Sequence, residues 1–177
     1  MDEAGTRQKA FLDLAHQIHW RFTNGSRCRE AVKHYSSENF HLTQSIGFQL
    51  NRARNFLLME MDAALRPLDI TGQQMGILLS LTRGVATTPF EISKVLGIDT
   101  GLMTRMLDKL ESRGLLQRQR SIEDRRVIHL LLTDKGREVA ARIPEIAPEV
   151  LNHRLRDFST EEFCEFLRLL RKFTDSD

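Results

Sequence analysis

Apolar residues recur at every third or fourth position between Leu42 and Arg66, and Pro67 follows directly. This spacing places them on one face of an α-helix, and a proline ends a helix because it has no backbone N–H to donate. We therefore predict one long helix over this stretch. A helix this long extends beyond a small domain, so its apolar face must be buried against something else. A second copy of the chain is the candidate. The face consists of Ile46, Leu50, Ala53, Leu57, Met61 and Leu65.

Two further helices are predicted towards the ends of the chain. Arg7–Phe22 has helical apolar spacing, and the polar stretch Ser26–Asn39 is predicted to be a loop or a short helix. Near the other end, Ser159 and Glu162 have the spacing of a capping box, in which two side chains bond the backbone at a helix start. The apolar face of that last helix is Phe163, Phe166, Leu167, Leu170 and Phe173.

Three short helices are predicted in the middle of the chain, each with a start signal and a glycine at its end. Two of them begin with capping boxes, and the second also has a proline at its first position, where the missing N–H costs nothing. The starts are Thr71 (with Gln74), Thr88 (with Glu91), and Asp99 or Thr100. The terminating glycines are Gly84, Gly97 and Gly114.

Two runs typical of β-strands follow, Leu115–Arg120 and Val127–Leu132. The six residues between them exceed a tight two-residue turn, so we expect an extended hairpin loop. Thr133 then caps a helix from Asp134 to Ile143, and the prolines at 144 and 148 are expected to interrupt or kink it.

The helices at Pro89–Leu96 and Thr100–Arg113, joined by a short turn, predict a helix-turn-helix. The hairpin directly after them makes the winged variant of that motif. The fold is therefore expected to be mainly α with a small β-hairpin wing (α+β). The predicted core face of the second helix is Leu102, Met106 and Leu110, with Met103 as a further candidate. The other faces carry Thr104, Arg105, Asp108 and Lys109.

Charge is concentrated in this same region. The whole chain of 177 residues has a net charge of only +2, which does not by itself indicate nucleic acid. The segment from Lys94 to Arg137, however, contains ten basic and six acidic residues, a net of +4. A local basic surface on a near-neutral protein is typical of a nucleic-acid-binding site.

Other classes of function find little support in the sequence. It contains no nucleophile elbow, P-loop, H-E-x-x-H or Rossmann glycine pattern, so we expect neither an enzyme nor a cofactor. The two cysteines are far apart and have no metal-ligand spacing. His16 and His19 lack a fixed third ligand, which argues against zinc. No apolar run is long enough to span a membrane, and no export leader is present, so a reduced cytoplasmic protein is expected.

The segment Leu96–Gly136 resembles the MarR family of bacterial transcription regulators. It contains the family's recognition-helix pattern TRMLDKLESRGL, its wing pattern Asp124-Arg125-Arg126, and the L-T-x-x-G opening of the next helix at Leu132. The resemblance implies an obligate homodimer that binds a pseudo-palindromic operator in double-stranded DNA. It also implies release by a small phenolic or aromatic acid, or, in some members, by cysteine oxidation.

The resemblance implies a set of DNA-binding residues in the recognition helix and wing. Arg126 would enter the minor groove, braced by Asp124, where a narrow groove concentrates negative potential. The alternative is a surface ion pair of Arg126 with Asp124 or Glu123. The full set is Thr100, Gly101, Thr104, Arg105, Lys109, Arg118, Arg120, Asp124, Arg125 and Arg126.

Effector residues are implied less specifically. Thr104 and Arg118 match family positions that contact aromatic acids, but Arg118 suits a phosphate contact or a structural ion pair equally well. Trp20 lies in an added N-terminal helix, as in urate-responsive relatives, and either stacks on a ligand or packs that helix onto the dimer. The acid that those relatives carry in the helix after the long one is missing from residues 73–76, which argues against urate.

The predicted organisation is an N-terminal extension with an extra helix (1–40), a helical dimerisation region (41–66 and 140–177) and a winged helix-turn-helix domain (67–139). The predicted function is a dimeric, sequence-specific repressor released by a small aromatic acid. Two alternatives remain at this point. One is a redox-responsive regulator acting through Cys28, which lies between two arginines that favour its thiolate. The other is a winged-helix module for protein contacts without DNA binding.

Overall fold

The computed structural model describes residues 32–175 and divides the chain into two units, Met1–His41 and Leu42–Asp177. The helix predicted at Arg7–Phe22, together with Trp20 and Cys28, lies outside the described residues. Of the first unit, the described part contains a turn at residues 37–39. In that turn the Ser36 N–H donates to Asn39 Oδ1 at 2.6 Å.

Six α-helices and one β-hairpin make up the described part of the second unit. A short 3₁₀ helix precedes the first α-helix, and another, Arg66–Leu68, follows it. The helices are α1 (Ile46–Leu65), α2 (Gly72–Thr82), α3 (Pro89–Leu96), α4 (Thr100–Ser112), α5 (Asp134–Leu155) and α6 (Thr160–Thr174). The strands are β1 (Leu116–Arg120) and β2 (Ile128–Leu132), which pair antiparallel from Leu116 opposite Leu132 to Arg120 opposite Ile128.

The predicted helix starts are confirmed by their hydrogen bonds. Each capping box has both reciprocal bonds, one from a backbone N–H to the cap side chain and one returning to the cap backbone. The boxes are Thr71 with Gln74, Thr88 with Glu91, and Ser159 with Glu162. At the helix ends, Gly97 and Gly114 have φ of +61° and +68°, a left-handed conformation that glycine adopts without steric cost. Local sequence therefore fixes where the central helices begin and end.

The core lies between α1, α2, α4, α5 and the hairpin. Its fully buried side chains include Leu65 of α1, Ile77 and Leu78 of α2, and Ile143 of α5. On α4 the most buried residues are Met103, Leu107 and Leu110. The predicted core face of α4 omitted Leu107, which is buried, and included Leu102, which is only half buried. Neighbouring elements cover more of the helix than one apolar stripe, so burial does not follow the stripe alone.

Of the two effects expected of Pro144 and Pro148, an interruption of the helix is wrong, while a kink stays a prediction. α5 continues through both prolines to Leu155. Each proline removes a single hydrogen-bond donor, and the remaining bonds together with packing of α5 against α1 and α2 hold the helix together. The predicted end of this helix at Ile143 is thus twelve residues too early.

Two helices in the described part of the chain, residues 32–175, expose apolar side chains. On α1, Met61 and Leu65 are buried, but Ile46 at the other end is 52% exposed. On α6 no residue is buried, and Phe163, Phe166 and Phe173 are all exposed. Cys164 on the same helix is also exposed.

The hairpin, α4 and α5 meet at a tight junction. The Thr133 N–H donates to the carbonyl of Leu115 at 3.2 Å, and the Thr133 hydroxyl donates to the carbonyl of Gly114 at 2.6 Å. Gly136 packs so closely here that a Cβ atom on it would overlap the Leu115 carbonyl oxygen. Because backbone atoms cannot move aside as a flexible side chain does, this position admits only glycine.

We therefore expect Gly136→Ala to lower the free energy of unfolding by about 3 kcal/mol, the upper part of the usual range for overpacking. Urea denaturation at matched protein concentrations measures this. Gly47→Ala is the control: its Cβ would meet nothing within 4 Å, so it should leave stability unchanged or raise it by up to about 1 kcal/mol. Equal stability of the two variants would contradict the close contact.

Candidate nucleic-acid interface

The recognition helix α4 presents a polar, basic face to solvent. Asp99 caps its start, where the carboxylate accepts the Leu102 N–H at 2.9 Å. Burial of the opposite face fixes which residues remain outside: Thr100, Gly101, Thr104, Arg105, Asp108 and Lys109 are all exposed. The expected place of Thr104, Arg105, Asp108 and Lys109 outside the core face is therefore confirmed. Their contacts to DNA remain predictions.

Two cations on this face are available for contacts. Arg105 and Lys109 are one helical turn apart, and within residues 32–175 neither makes an ion pair. Thr104 differs, because its hydroxyl already donates to the carbonyl of Thr100 at 2.9 Å. The hydroxyl oxygen of Thr104 can still accept a hydrogen bond.

The wing loop between β1 and β2 has a defined internal structure. The Ser121 hydroxyl oxygen accepts the N–H groups of Glu123 and Asp124 at 3.2 and 3.4 Å. The Asp124 carboxylate accepts the Arg126 N–H at 2.9 Å, and the Ser121 N–H donates to the Val127 carbonyl at 2.9 Å. The loop is therefore held by its own backbone and short side chains, which leaves its long side chains directed outward.

Three wing arginines carry free charge. Arg120, Arg125 and Arg126 are exposed, and the described part of the chain gives none of them an ion-pair partner. Asp124 does brace Arg126, but through its backbone N–H rather than its guanidinium. The surface ion pair considered as the alternative for Arg126 is therefore not formed.

Arg118 behaves differently from its neighbours in β1. Its guanidinium bonds Asp108 at 2.7 Å and Glu111 at 2.5 Å, both on α4. Its backbone N–H also donates to Glu111, at 3.1 Å. Partial burial works against the charge of Arg118, but the hydrogen bonds and negative charges of the two acids outweigh it and raise the pKa of Arg118. Of the three expectations for Arg118, the structure shows the ion pair; contacts to DNA or effector remain predictions.

The wing tip also carries an apolar residue that sequence reasoning missed. Ile122 is 96% exposed, more than any other large apolar side chain in residues 32–175. The signal was an isoleucine in a loop otherwise built of polar residues, Ser121 to Arg126. It lies beside the unpaired arginines.

The first helix of the motif is anchored by a charged cap. The Glu91 carboxylate accepts the N–H groups of Thr87 and Thr88 at 2.9 and 3.0 Å. Thr87 also binds the hairpin, because its carbonyl accepts the Leu130 N–H at 2.8 Å. Glu91 therefore stabilises the segment directly before α3, which in turn is hydrogen-bonded to β2.

A crevice of about 220 Å³ lies between α1, α2 and the turn of the helix-turn-helix. Arg54 is its one charged lining residue, and within the described residues Arg54 has no ion-pair partner. Its walls are Leu58, Gly72, Gln73, Gly76, Leu96, Gly97 and Ile98. Sequence reasoning missed this site because it is formed by segments that meet only in the fold. Neither Thr104 nor Arg118, the expected effector residues, lines it.

Residues 32–175 contain no group of three His, Cys, Asp or Glu side chains placed to hold a metal ion. Among the described helices, none combines the length and the apolar character needed to cross a membrane. A redox role for Cys28 stays a prediction, since that residue lies outside the described range.

The fold and the basic face together define a winged helix-turn-helix protein of the DNA-binding class. Comparison with known proteins agrees. The sequence profile of the MarR family matches residues 68–127. The multiple antibiotic resistance protein MarR of Escherichia coli K12 is 32% identical over 124 residues, which cover 70% of this chain and 84% of that protein. The chain belongs to the MarR family of transcription regulators.

Two solved structures with bound DNA are similar to this chain. A cysteine-to-serine variant of E. coli MarR complexed with operator DNA has a TM-score of 0.67 at 28% identity, over 72% of this chain and 91% of that one. The transcriptional repressor CouR bound to a 23-mer DNA duplex has a TM-score of 0.66 at 32% identity, over 75% of this chain and 94% of that one.

The Glu91 cap makes stability depend on pH. Hydrogen bonds from the backbone of Thr87, then Thr88, hold the pKa of Glu91 below its ordinary value. A depressed pKa in the folded state gives stability above the unfolded pKa that is lost as pH falls through the folded pKa. We expect Glu91→Gln, which keeps an acceptor but loses the charge, to be less stable than the wild type at pH 7. The difference should shrink as pH falls below about 4.3.

Urea denaturation followed by circular dichroism between pH 3 and pH 7 measures this difference. Glu138→Gln, at an exposed acid on α5, is the matched control and should follow the wild type throughout. A stability gap of the same size at both ends of the range would show that the carboxylate charge has no part in the cap.

Proposed function

We propose that this protein is a dimeric repressor that binds an operator through α4 and the wing and is released by a small aromatic acid. The observation that carries DNA binding is a cluster of unpaired cations on one face. Within residues 32–175, the face formed by α4 and the wing exposes five cations without an ion-pair partner: Arg105, Lys109, Arg120, Arg125 and Arg126.

Unpaired cations are what a polyanion requires. Neutralising phosphates releases condensed counterions, which supplies much of the affinity for DNA. A helix and an adjacent hairpin can place their cations in a major groove and the neighbouring minor groove. The relatives MarR and CouR have been solved bound to DNA, which supports DNA as the partner of this chain. A module for protein contacts alone would not need so much uncompensated positive charge.

The uncovered apolar faces support a homodimer. Ile46, Phe56 and Met59 on α1, and Phe163 and Phe166 on α6, are between 40% and 60% exposed in the single chain. Soluble monomers rarely expose large apolar surfaces, and each of these helices exposes several large apolar side chains. A second copy would cover it and place two recognition helices on two half-sites about one helical turn of DNA, roughly 34 Å, apart.

The crevice at Arg54 is the proposed effector site. Its volume lies below the roughly 300–1,000 Å³ of sites for drug-sized ligands, which suits a single aromatic ring. Gly72 and Gly76, one turn apart on α2, add no side chains to their wall of the crevice. Leu96 packs against Gly76, where a Cβ would meet it at 3.1 Å. Arg54 can pair with a carboxylate. An acid that targets Arg118 would first have to displace Asp108 and Glu111.

Operator binding is tested by titrating the protein onto DNA from upstream of its own gene and onto scrambled DNA, at several salt concentrations. We expect Arg126→Ala to lower operator affinity by about 10- to 100-fold, and the slope of log affinity against log salt to fall by about 0.9. The reason is that the variant neutralises one phosphate fewer. Sedimentation of the complex should give two chains per operator.

Arg142→Ala is the matched control, since Arg142 is an exposed arginine on α5 outside the winged motif. It should leave both affinity and slope unchanged. Two results together would contradict DNA binding: an affinity that does not depend on salt, and a genome-wide binding selection that finds no DNA sequence bound better than scrambled DNA. The partner of this face would then be a protein.

Effector binding is tested with salicylate and 4-hydroxybenzoate, with benzamide as the uncharged comparison. We expect Arg54→Ala to raise the acid concentration that releases operator by about 10- to 100-fold, the range of a hydrogen bond to a charged group. Arg83→Ala, an exposed arginine at the end of α2, is the control and should respond like the wild type. Unchanged acid sensitivity of Arg54→Ala would remove the crevice as the effector site.

A further inference from the structure

One arginine makes the hydrogen bonds that join the recognition helix to the wing. Arg118 lies in the middle of β1, opposite Leu130. Its guanidinium folds back onto α4 and bonds both Asp108 and Glu111, which are three residues apart on that helix. Within residues 32–175, these bonds and the Arg118 N–H bond to Glu111 are the only hydrogen bonds between the hairpin and α4. We call the group of Arg118, Asp108 and Glu111 the clip.

Burial along β1 shows where the clip acts. Leu116 is buried in the core, Arg118 is half buried, and Arg120 is exposed. Apolar packing therefore fixes the base of the hairpin, while the outer part that carries the free arginines extends into solvent. On β1 the clip is the last side-chain attachment before that outer part begins. On β2 one further contact lies beyond it, between the Thr87 hydroxyl of the segment before α3 and His129 Nδ1 at 3.4 Å.

The guanidinium geometry makes the clip directional. A planar guanidinium presents its N–H donors in a fixed fork, so two bonds to two carboxylates restrict both the distance and the angle between strand and helix. Glu111 adds a second constraint, because it accepts from both the backbone and the side chain of Arg118. The side chain of Arg118 is 26% exposed, against 59% for Asp108 and 37% for Glu111. Solvent therefore screens the bond to Glu111 less than the bond to Asp108.

We infer that Arg118 is a positioning residue: through Asp108 and Glu111 it sets the wing relative to the recognition helix, and it acts on DNA through the wing arginines. This inference rests on the proposed function, because its purpose is the simultaneous fit of α4 and the wing to adjacent grooves. It also assigns Asp108 and Glu111, two acids on a DNA-facing helix, a role that favours binding.

The sign of a charge effect tests the inference. Asp108 and Glu111 are negative charges close to the proposed path of the phosphates, so simple electrostatics predicts that neutralising them strengthens binding. The clip predicts the reverse. We expect Asp108→Asn combined with Glu111→Gln to weaken operator binding about tenfold, with a salt slope equal to that of the wild type. Glu123→Gln neutralises a wing acid outside the clip and should bind as well as the wild type or better.

Two further variants separate positioning from direct contact. Arg118→Lys keeps the charge but loses the fork, so the clip predicts weaker binding, whereas a simple phosphate contact would tolerate lysine. Adding Arg118→Gln to the acid pair should cost no more than Arg118→Gln alone, because both changes remove the same contact. Additive effects, tolerance of lysine, or tighter binding by the acid-neutralised pair would overturn the inference.

Hydrogen exchange of the free protein tests the clip without DNA and without requiring the proposed function. In the acid-neutralised pair, we expect the amides of Ser121 and Val127 in the wing to exchange about tenfold faster. The amide of Ile77 in the core should be unchanged, which also shows that the variant is folded. Unchanged wing exchange would overturn the inference. If the wild type binds no operator, the proposed function fails, and this exchange result alone decides whether the clip holds the wing.

Discussion

The junction of α4, the hairpin and α5 is the constraint on which the rest of this structure depends. Thr133 bonds the backbone at Gly114 and Leu115, and Gly136 packs directly against the Leu115 carbonyl. These contacts fix the base of the wing and the starting direction of α5 together. Since α5 packs on α1, the junction also relates the recognition helix to the long helix whose apolar face remains open. One short segment thus sets the geometry of both proposed interfaces.

Charge is distributed on this framework according to whether it is satisfied internally. Within the described residues, Arg113 pairs with Asp69 beyond the end of α1, and Arg118 pairs with Asp108 and Glu111. Both pairs link segments that are distant in sequence or at an angle to each other. The exposed cations of α4 and the wing form no such ion pairs within the described residues. A count of basic residues in this region therefore overstates the number available to a polyanion, and the structure is needed to separate the two groups.

The sequence predicted the features that depend on neighbouring residues. Capping boxes at Thr71, Thr88 and Ser159 require only a side chain three positions away, and each forms as expected. The winged motif followed from the order of such signals. The predictions were wrong where contacts between segments far apart in the sequence decide the helix bounds or the burial of a residue. α5 continues through Pro144 because its neighbours support it, and Leu107 is buried because α4 is enclosed on several sides.

The candidate site was only partly predictable, for the same reason. The exposed face of α4 followed from helical periodicity, since apolar burial on one side leaves Arg105 and Lys109 on the other. The partner of Arg118 did not follow, because a seven-residue separation across a turn to Glu111 carries no local signal. The Arg54 crevice was equally hidden. It needs α1, α2 and the Leu96–Ile98 turn to meet, and no single segment shows that they do.

The position of this crevice suggests how a ligand would act on the recognition helix. Its wall includes Gly97 and Ile98, which directly precede Asp99, the cap of α4. A ligand shifts an equilibrium only by its difference in affinity between two states. A ligand in this crevice would contact α1 and this turn at once, so it would favour the spacing of the two that accommodates it best. A change in that spacing would move the start of α4, and under the proposed clip the wing would move with it. The two recognition elements of one subunit would then leave their grooves together rather than one at a time.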